Sequence, residues 1–276
     1  MCLIVFDWRP EAENGPLFTL AANRDEYFSR ASAPLAWWSD TPNVLAGRDL
    51  VGGGTWLGIA RDARFAALTN YRAPHEMRAD APTRGTLVAD FIRERACSPL
   101  DYLQRVAERG AIYNGFNLIV GDFARRELAW YCNRAGTAPT LLAPGTHGIS
   151  NAVLDTPWPK LVRKRAQLAS LVAGDAAPAL STLVELMRDT EIAPDDALPT
   201  TGIPLERERA LSAAFIETSQ YGTRGTTALR VSVRDARLGI EIVERSDDDG
   251  SHRLARPGHH ERAYTFDAEP AAALTR

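Results

Sequence analysis

Cys2 follows the initiator methionine directly and leads into the apolar run Leu3-Ile4-Val5-Phe6. Removal of Met1, a routine event before a small residue, is expected to leave one residue carrying both a thiol and a free α-amino group. An α-amine titrates ordinarily at about 7.7–8.0 and a thiol at about 8.5, so near neutral pH some of the amine is uncharged and able to accept the thiol proton. This nucleophile-plus-terminal-amine device serves acyl transfer and requires no histidine. The same residue also reads as a small apolar side chain at a strand start. Spacing alone leaves both open.

Other chemistries find little support. Lys160 and Lys164 are the only lysines among 32 basic residues, which argues against P-loop, Schiff-base and pyridoxal chemistry. His75-Glu76 begins like a zinc-protease helix, but Ala79 stands where the second histidine belongs. No serine occupies a G-x-S-x-G elbow. Gly52-Gly53-Gly54 lacks dinucleotide-binding spacing and runs into strand-like Thr55-Trp56-Leu57-Gly58, so it reads as a bulge or a close backbone approach. The five histidines show no metal-ligand spacing, and His259-His260 lies in a polar tail. No metal or cofactor is expected.

With 276 residues, 45% of them hydrophobic and 24% charged, the chain can bury a sizeable core, and disorder is excluded. One domain over residues 1–276 is the expected organisation. A net charge of −3 leaves no basic excess for nucleic acid. Cys2, Cys97 and Cys132 are odd in number and scattered, which suits a reducing compartment and predicts a cytoplasmic protein. The N-terminal apolar run is far shorter than a signal segment or a membrane span, so neither is expected.

Hydrophobic periodicity predicts the elements that must position Cys2. Residues 3–6 and 17–22 form a hairpin across the Asn14-Gly15-Pro16 turn. Further strands are predicted at 44–46, 55–60, 65–69, 116–120, 128–131, 140–142, 227–233, 238–243 and 264–266. Helical spacing appears at 86–96, 100–108, 159–172 and 178–187, with Gly174 as a C-cap. Residues 192–204 read as a loop, and Asp247-Asp248-Asp249-Gly250 as a turn. Hairpins interrupted by helix pairs predict an α+β fold of antiparallel sheets covered by helices.

Several ordered motifs then carry a resemblance: Met1-Cys2-Leu3-Ile4, Ala22-Asn23-Arg24-Asp25-Glu26, Gly53-Gly54-Thr55-Trp56-Leu57-Gly58, Thr69-Asn70, Tyr113-Asn114-Gly115-Phe116-Asn117-Leu118, Ser150-Asn151, Leu154-Asp155-Thr156-Pro157-Trp158-Pro159-Lys160 and Tyr221-Gly222-Thr223-Arg224. Over essentially its whole length the chain resembles the NRDE family, which includes the eukaryotic transport and Golgi organisation protein 2. That family is similar to N-terminal nucleophile hydrolases of the choloylglycine hydrolase and penicillin V acylase type, which implies a four-layer α-β-β-α sandwich. The resemblance implies Cys2 as nucleophile and Asp25 as the carboxylate that holds the terminal amine. The hydrolase R-N-x-D pattern is matched at Asn23 and Asp25, but Ala22 stands at the leading arginine position and Arg24 at x.

By the same resemblance Asn151 and Asn70 are the oxyanion donors, and Arg224 is the late arginine near the cysteine. Turn formation remains open for both asparagines, and a structural clamp for Arg224. Asn23, Arg24, Trp56, Tyr71, Phe116 and Trp158 are the candidate substrate contacts, with core packing as the alternative for the aromatic residues. The expected activity is amidohydrolysis of a small acyl amide through a thioester. The alternative is a non-catalytic carrier of a hydrophobic ligand, haem, lipid or acyl-CoA, which members of the family have been linked to handling.

Overall fold

A computed structural model of the chain describes residues 2–94, 96–174, 177–247 and 260–269. In the N-terminal half, β1 (Cys2–Trp8), β2 (Gly15–Tyr27), β3 (Ser32–Trp37), β4 (Val44–Asp49), β5 (Leu57–Ala60) and β6 (Arg64–Asn70) precede α1 (Gly85–Arg93) and α2 (Pro99–Glu108). There follow β7 (Phe116–Asp122), β8 (Glu127–Cys132), β9 (Thr140–Leu141) and β10 (Gly145–Ile149). Helices α3 (Pro159–Val172), α4 (Leu180–Leu186) and α5 (Leu205–Ser212) lead to β11 (Tyr221–Arg234), β12 (Arg237–Ser246) and β13 (His260–Asp267).

Two antiparallel sheets result, ordered β10-β1-β2-β11-β12-β13 and β3-β4-β5-β6-β7-β8-β9. Strand alternation sorts their side chains into three apolar layers. Ile4, Phe6, Trp8, Phe18, Leu20, Phe65 and Ile119 fill the space between the sheets. Val44, Ala66, Leu118 and Val120 pack outward on Leu87, Val88, Phe91 and Leu103 of α1 and α2. Leu3, Val5, Ala21 and Ala228 pack outward on Leu161, Leu168, Leu183 and Val184 of α3 and α4. The chain is therefore a four-layer α-β-β-α sandwich, as the resemblance implies.

Several boundaries differ from expectation. β2 runs on through Asn23-Arg24-Asp25-Glu26 to Tyr27, and β11 begins at Tyr221 rather than 227, so both carry polar motifs into the sheet. Two strands escape the sequence pattern because they lie at sheet edges. β3 contains Pro34, tolerated at an edge, and β10 contains two glycines and few apolar residues. Helix α5, Leu-Glu-Arg-Glu-Arg-Ala-Leu-Ser, has too weak an apolar stripe to be read as amphipathic. The cap of α3 is Ala173 rather than Gly174. Of the expected acidic turn only Asp247 is described; residues 248–250 and His259 lie outside the described residues, while His260 opens β13.

Candidate active site

Cys2 shares the parity of Ile4, Phe6 and Trp8, and so lies on the inter-sheet side of β1. Arg24 shares the parity of Phe18, Leu20 and Ala22, and it stands opposite Cys2 in the β1–β2 register. At this end of the strands the space between the sheets opens into a cavity of about 640 Å³, lined by Cys2, Arg24, Asp25, Trp56, Asn70 and Arg224, among others. That volume lies within the range of small-molecule sites.

The Cys2 side chain is almost fully buried, and burial pushes its thiol above the ordinary value. The Asp25 charge acts in the same direction, whereas the Asp25 backbone amide and the Arg24 charge favour the thiolate. Asp25 itself is anchored: Thr223 Oγ1 donates to its Oδ1 at 2.6 Å, and the Ile216 amide donates to that hydroxyl at 2.9 Å. Burial raises the Asp25 carboxyl, and the charge of Lys160 opposes the rise. Lys160 is buried on α3, donates to the Leu211 carbonyl at 2.8 Å, and is pushed down to about 8 by burial. Sequence reasoning gives it no role in the site, although it closes the Leu154–Lys160 motif and is a rare lysine in the first turn of a predicted helix.

A β-bulge places Arg224. Asp25 pairs with Thr223 and Arg24 with Gly225, which leaves Arg224 as the extra residue, re-aimed from the ladder. Its Nε donates to Asp247 at 2.8 Å, and Nη1 reaches the carbonyls of Tyr27 and Arg30. The guanidinium thus clamps the loop after β2 while bordering the cavity.

The two sheets are stitched together beside Asn70. Thr69 Oγ1 donates to the Ser150 carbonyl at 2.6 Å, and Asn151 Nδ2 donates to the Asn70 carbonyl at 2.9 Å. Asn151 is buried and does not line the cavity, whereas Asn70 does. Among the six candidate substrate contacts, Arg24 and Trp56 line it. Asn23, of opposite parity, faces the helices: Nδ2 donates to the carbonyls of Met187 and Ala214, and Oδ1 accepts from Thr226. Phe116 faces α1 and α2 for the same reason of parity. Tyr71 packs against the inter-sheet core. Trp158 lies under the Arg72 guanidinium at 4.7 Å, beside the buried Arg72–Glu208 pair.

The glycine run contributes by close approach. A Cβ on Gly54 would stand 2.3 Å from the carbonyl carbon of Gly85, so α1 begins directly against this turn. The contact sets Arg84 at the cavity wall, with its Nη1 donating to the Gly115 carbonyl at 2.8 Å. Arg84 carries no sequence signal, because its place follows from that packing. Among the described residues no group of three or more His, Cys, Asp or Glu side chains could hold a metal ion, and no helix is long and apolar enough to cross a membrane.

Comparison with known proteins places this geometry in context. The family model described as Transport and Golgi organisation 2 matches residues 1–248. A Transport and Golgi organization protein 2 homolog from Bos taurus is 38% identical over 261 residues, covering 89% of this chain and 93% of the relative. Among solved structures, the Caenorhabditis elegans ortholog of N-acylethanolamine-hydrolyzing acid amidase aligns with a TM-score of 0.47 at 9% identity, covering 83% of this chain and 92% of that one. A mutant conjugated bile acid hydrolase from Clostridium perfringens aligns with a TM-score of 0.48 at 7% identity, covering 96% and 97%.

Proposed function

The chain belongs to the Transport and Golgi organisation 2 family, and we propose that it is an amidohydrolase that cleaves a small acyl amide through a thioester on Cys2. The observation that carries this reading is the thiol of Cys2 at the wall of a ligand-sized cavity, beside an Asp25 carboxyl fixed by Thr223.

The proposed reaction starts with removal of Met1, which frees the Cys2 α-amine. That amine takes the thiol proton, and the sulfur attacks the amide carbonyl carbon. Asn70 donates to the resulting oxyanion; a comparable donor contributes about 2.7–4 kcal/mol in rate where one has been removed. Asn151 acts through Asn70 by holding its carbonyl, and Asp25 orients the amine. Collapse breaks the C–N bond, and the leaving amine takes the proton back from the terminal ammonium. Water, deprotonated by the same amine, then attacks the thioester, releases the carboxylic acid and restores the thiol. Arg224 supports this wall by closing the bulge on Asp247.

A carrier of a hydrophobic ligand is the second reading, favoured by the apolar side chains of Val51 and Met77, which line the cavity and are 65% and 58% exposed. Incubation of wild-type and Cys2→Ala protein with a panel of acyl amides separates the two. Release of amine by the wild type alone supports the hydrolase. Equal saturable binding by both proteins, with no amine released by either, supports the carrier.

A further inference from the structure

Lys160 occupies a place that is unfavourable for a cation. It is buried in the first turn of α3, where the helix dipole repels positive charge, and Pro159 ahead of it fixes the start of that turn. Among the described residues it makes no ion pair, and its one hydrogen bond goes to the neutral Leu211 carbonyl at 2.8 Å. The other lysine, Lys164, lies one turn further along and meets Asp189 at 2.8 Å. Glu208, which shares a small space with Lys160, is engaged by Arg72 at 2.6 Å and by the Thr201 amide at 3.0 Å. An ammonium withdrawn from water needs an opposite charge to offset its desolvation.

The segment 211–216 brings Lys160 to the back of Asp25. Its Leu211 carbonyl accepts from Lys160, its Ala214 carbonyl accepts from Asn23, and its Ile216 amide donates to Thr223, which holds Asp25. Asp25 has the parity of Ala21 and Asn23, on the face of β2 that meets the helices. Of the charges around Asp25, that of Lys160 favours the carboxylate most strongly, and the terminal ammonium, Thr223 and Arg24 act in the same direction. Of the charges around Lys160, that of Asp25 favours the ammonium most strongly; Cys2 and Glu208 add to it and Arg72 opposes it. Burial, and then the Asp25 charge, push the nearby Tyr221 phenol up, so it stays neutral beside them. Between two buried groups such an attraction reaches beyond contact distance, because little water screens it.

We propose that Lys160 is a positioning residue for the Cys2 reaction: its buried ammonium, acting from the helix side, keeps Asp25 a carboxylate able to hold the terminal amine that deprotonates the thiol. Its effect on turnover rests on the hydrolase reading, whereas its coupling to Asp25 does not. Having only two lysines makes that coupling directly readable. In protein labelled with carbon-13 at lysine Cε, Lys164→Arg identifies the Lys160 resonance. The Lys160 midpoint, lowered by burial to about 8, is expected to fall by at least about one pH unit in Asp25→Asn, a tenfold loss of proton affinity. Asp25→Ser gives the same comparison where Asp25→Asn does not fold. The reciprocal effect is expected in Lys160→Met, where the acid limb of kcat for acyl-amide hydrolysis moves to higher pH by a similar amount and Lys160→Arg restores it. KM stays unchanged, because Lys160 does not line the cavity.

A Lys160 midpoint that is the same with and without the Asp25 carboxylate overturns the proposal, and that comparison needs no substitution at Lys160. A lowered kcat in Lys160→Met with an unmoved acid limb also overturns it, since a residue that only supports the fold behaves in that way. A shifted Lys160 midpoint in a protein that cleaves no acyl amide upholds the coupling and overturns the hydrolase reading. Cleavage of acyl amides by a protein whose Lys160 midpoint does not shift overturns the role of Lys160 alone.

Discussion

The same strands behave differently at their two ends. Where Trp8 pairs with Phe18, the inter-sheet space is closed by Phe6, Phe18, Phe65 and Phe123, with ring centroids as near as 4.9 Å. Where Cys2 pairs with Arg24, six residues along β1, the positions of the same parity hold a thiol and a guanidinium, and the space becomes a cavity. The backbone pattern is common to both ends. What differs is whether alternate positions carry large apolar volume, which closes the layer, or short and charged groups, which leave it open to a ligand.

Exchanging side chains at each end should therefore have opposite consequences. The largest expected effect is on turnover: Cys2→Ala lowers amide hydrolysis by roughly 10⁴-fold or more while changing unfolding free energy by less than about 1 kcal/mol. Phe18→Ala is the converse, a loss of about 3–5 kcal/mol in urea unfolding, with ligand affinity of the folded protein unchanged. Comparable effects of both substitutions on both measurements would erase the division between the two ends.

A smaller effect tests how the open end tolerates a buried carboxyl. Thr223→Val removes the donor to Asp25 and leaves the Ile216 amide without that acceptor, at a cost of about 1–3 kcal/mol. The lost bond favoured ionised Asp25, so its titration moves further up. The acid limb of the pH–rate profile should shift to higher pH, and Thr223→Ser should restore it. An unshifted limb would separate Asp25 from the chemistry.

The smallest effect concerns Glu244, at the cavity wall. Burial raises its carboxyl, which Arg24 and Arg262 oppose and Asp247 reinforces. A raised carboxyl contributes stability that is fully present below the ordinary value of 4.5 and is lost as pH rises through the folded-state value. Glu244→Gln keeps an acceptor for the Leu35 amide without the ionisation. Its stability relative to wild type should be even at about pH 4 and should increase toward about pH 8. A constant difference in denaturant midpoints across that range would contradict the assignment.

Much of the closed end is legible in the sequence, because it rests on apolar periodicity: β1 is expected from Leu3-Ile4-Val5-Phe6, and α3 matches its expected span at Pro159–Val172. The glycine run, too, reads correctly as a close approach, since Gly54 meets Gly85. The open end is less legible. Once β2 is known to continue to Tyr27, parity sends Arg24 into the cavity and Asn23 toward the helices. Without that extension the motif residues cannot be sorted by face. The aromatic residues near motifs divide in the same way, Trp56 to the cavity and Phe116 to the helix layer. Arg84 and Lys160 are set by packing between segments distant in sequence, which no local pattern encodes.

Intact-mass analysis of the purified protein, before and after rapid quenching with an acyl amide, tests the central claim most directly. The expected result is a chain lacking Met1 that gains the mass of the acyl group on Cys2 and loses it again as product forms. A chain that retains Met1, or one that carries no acyl group on Cys2 while amine is released, would contradict a nucleophile activated by its own terminal amine.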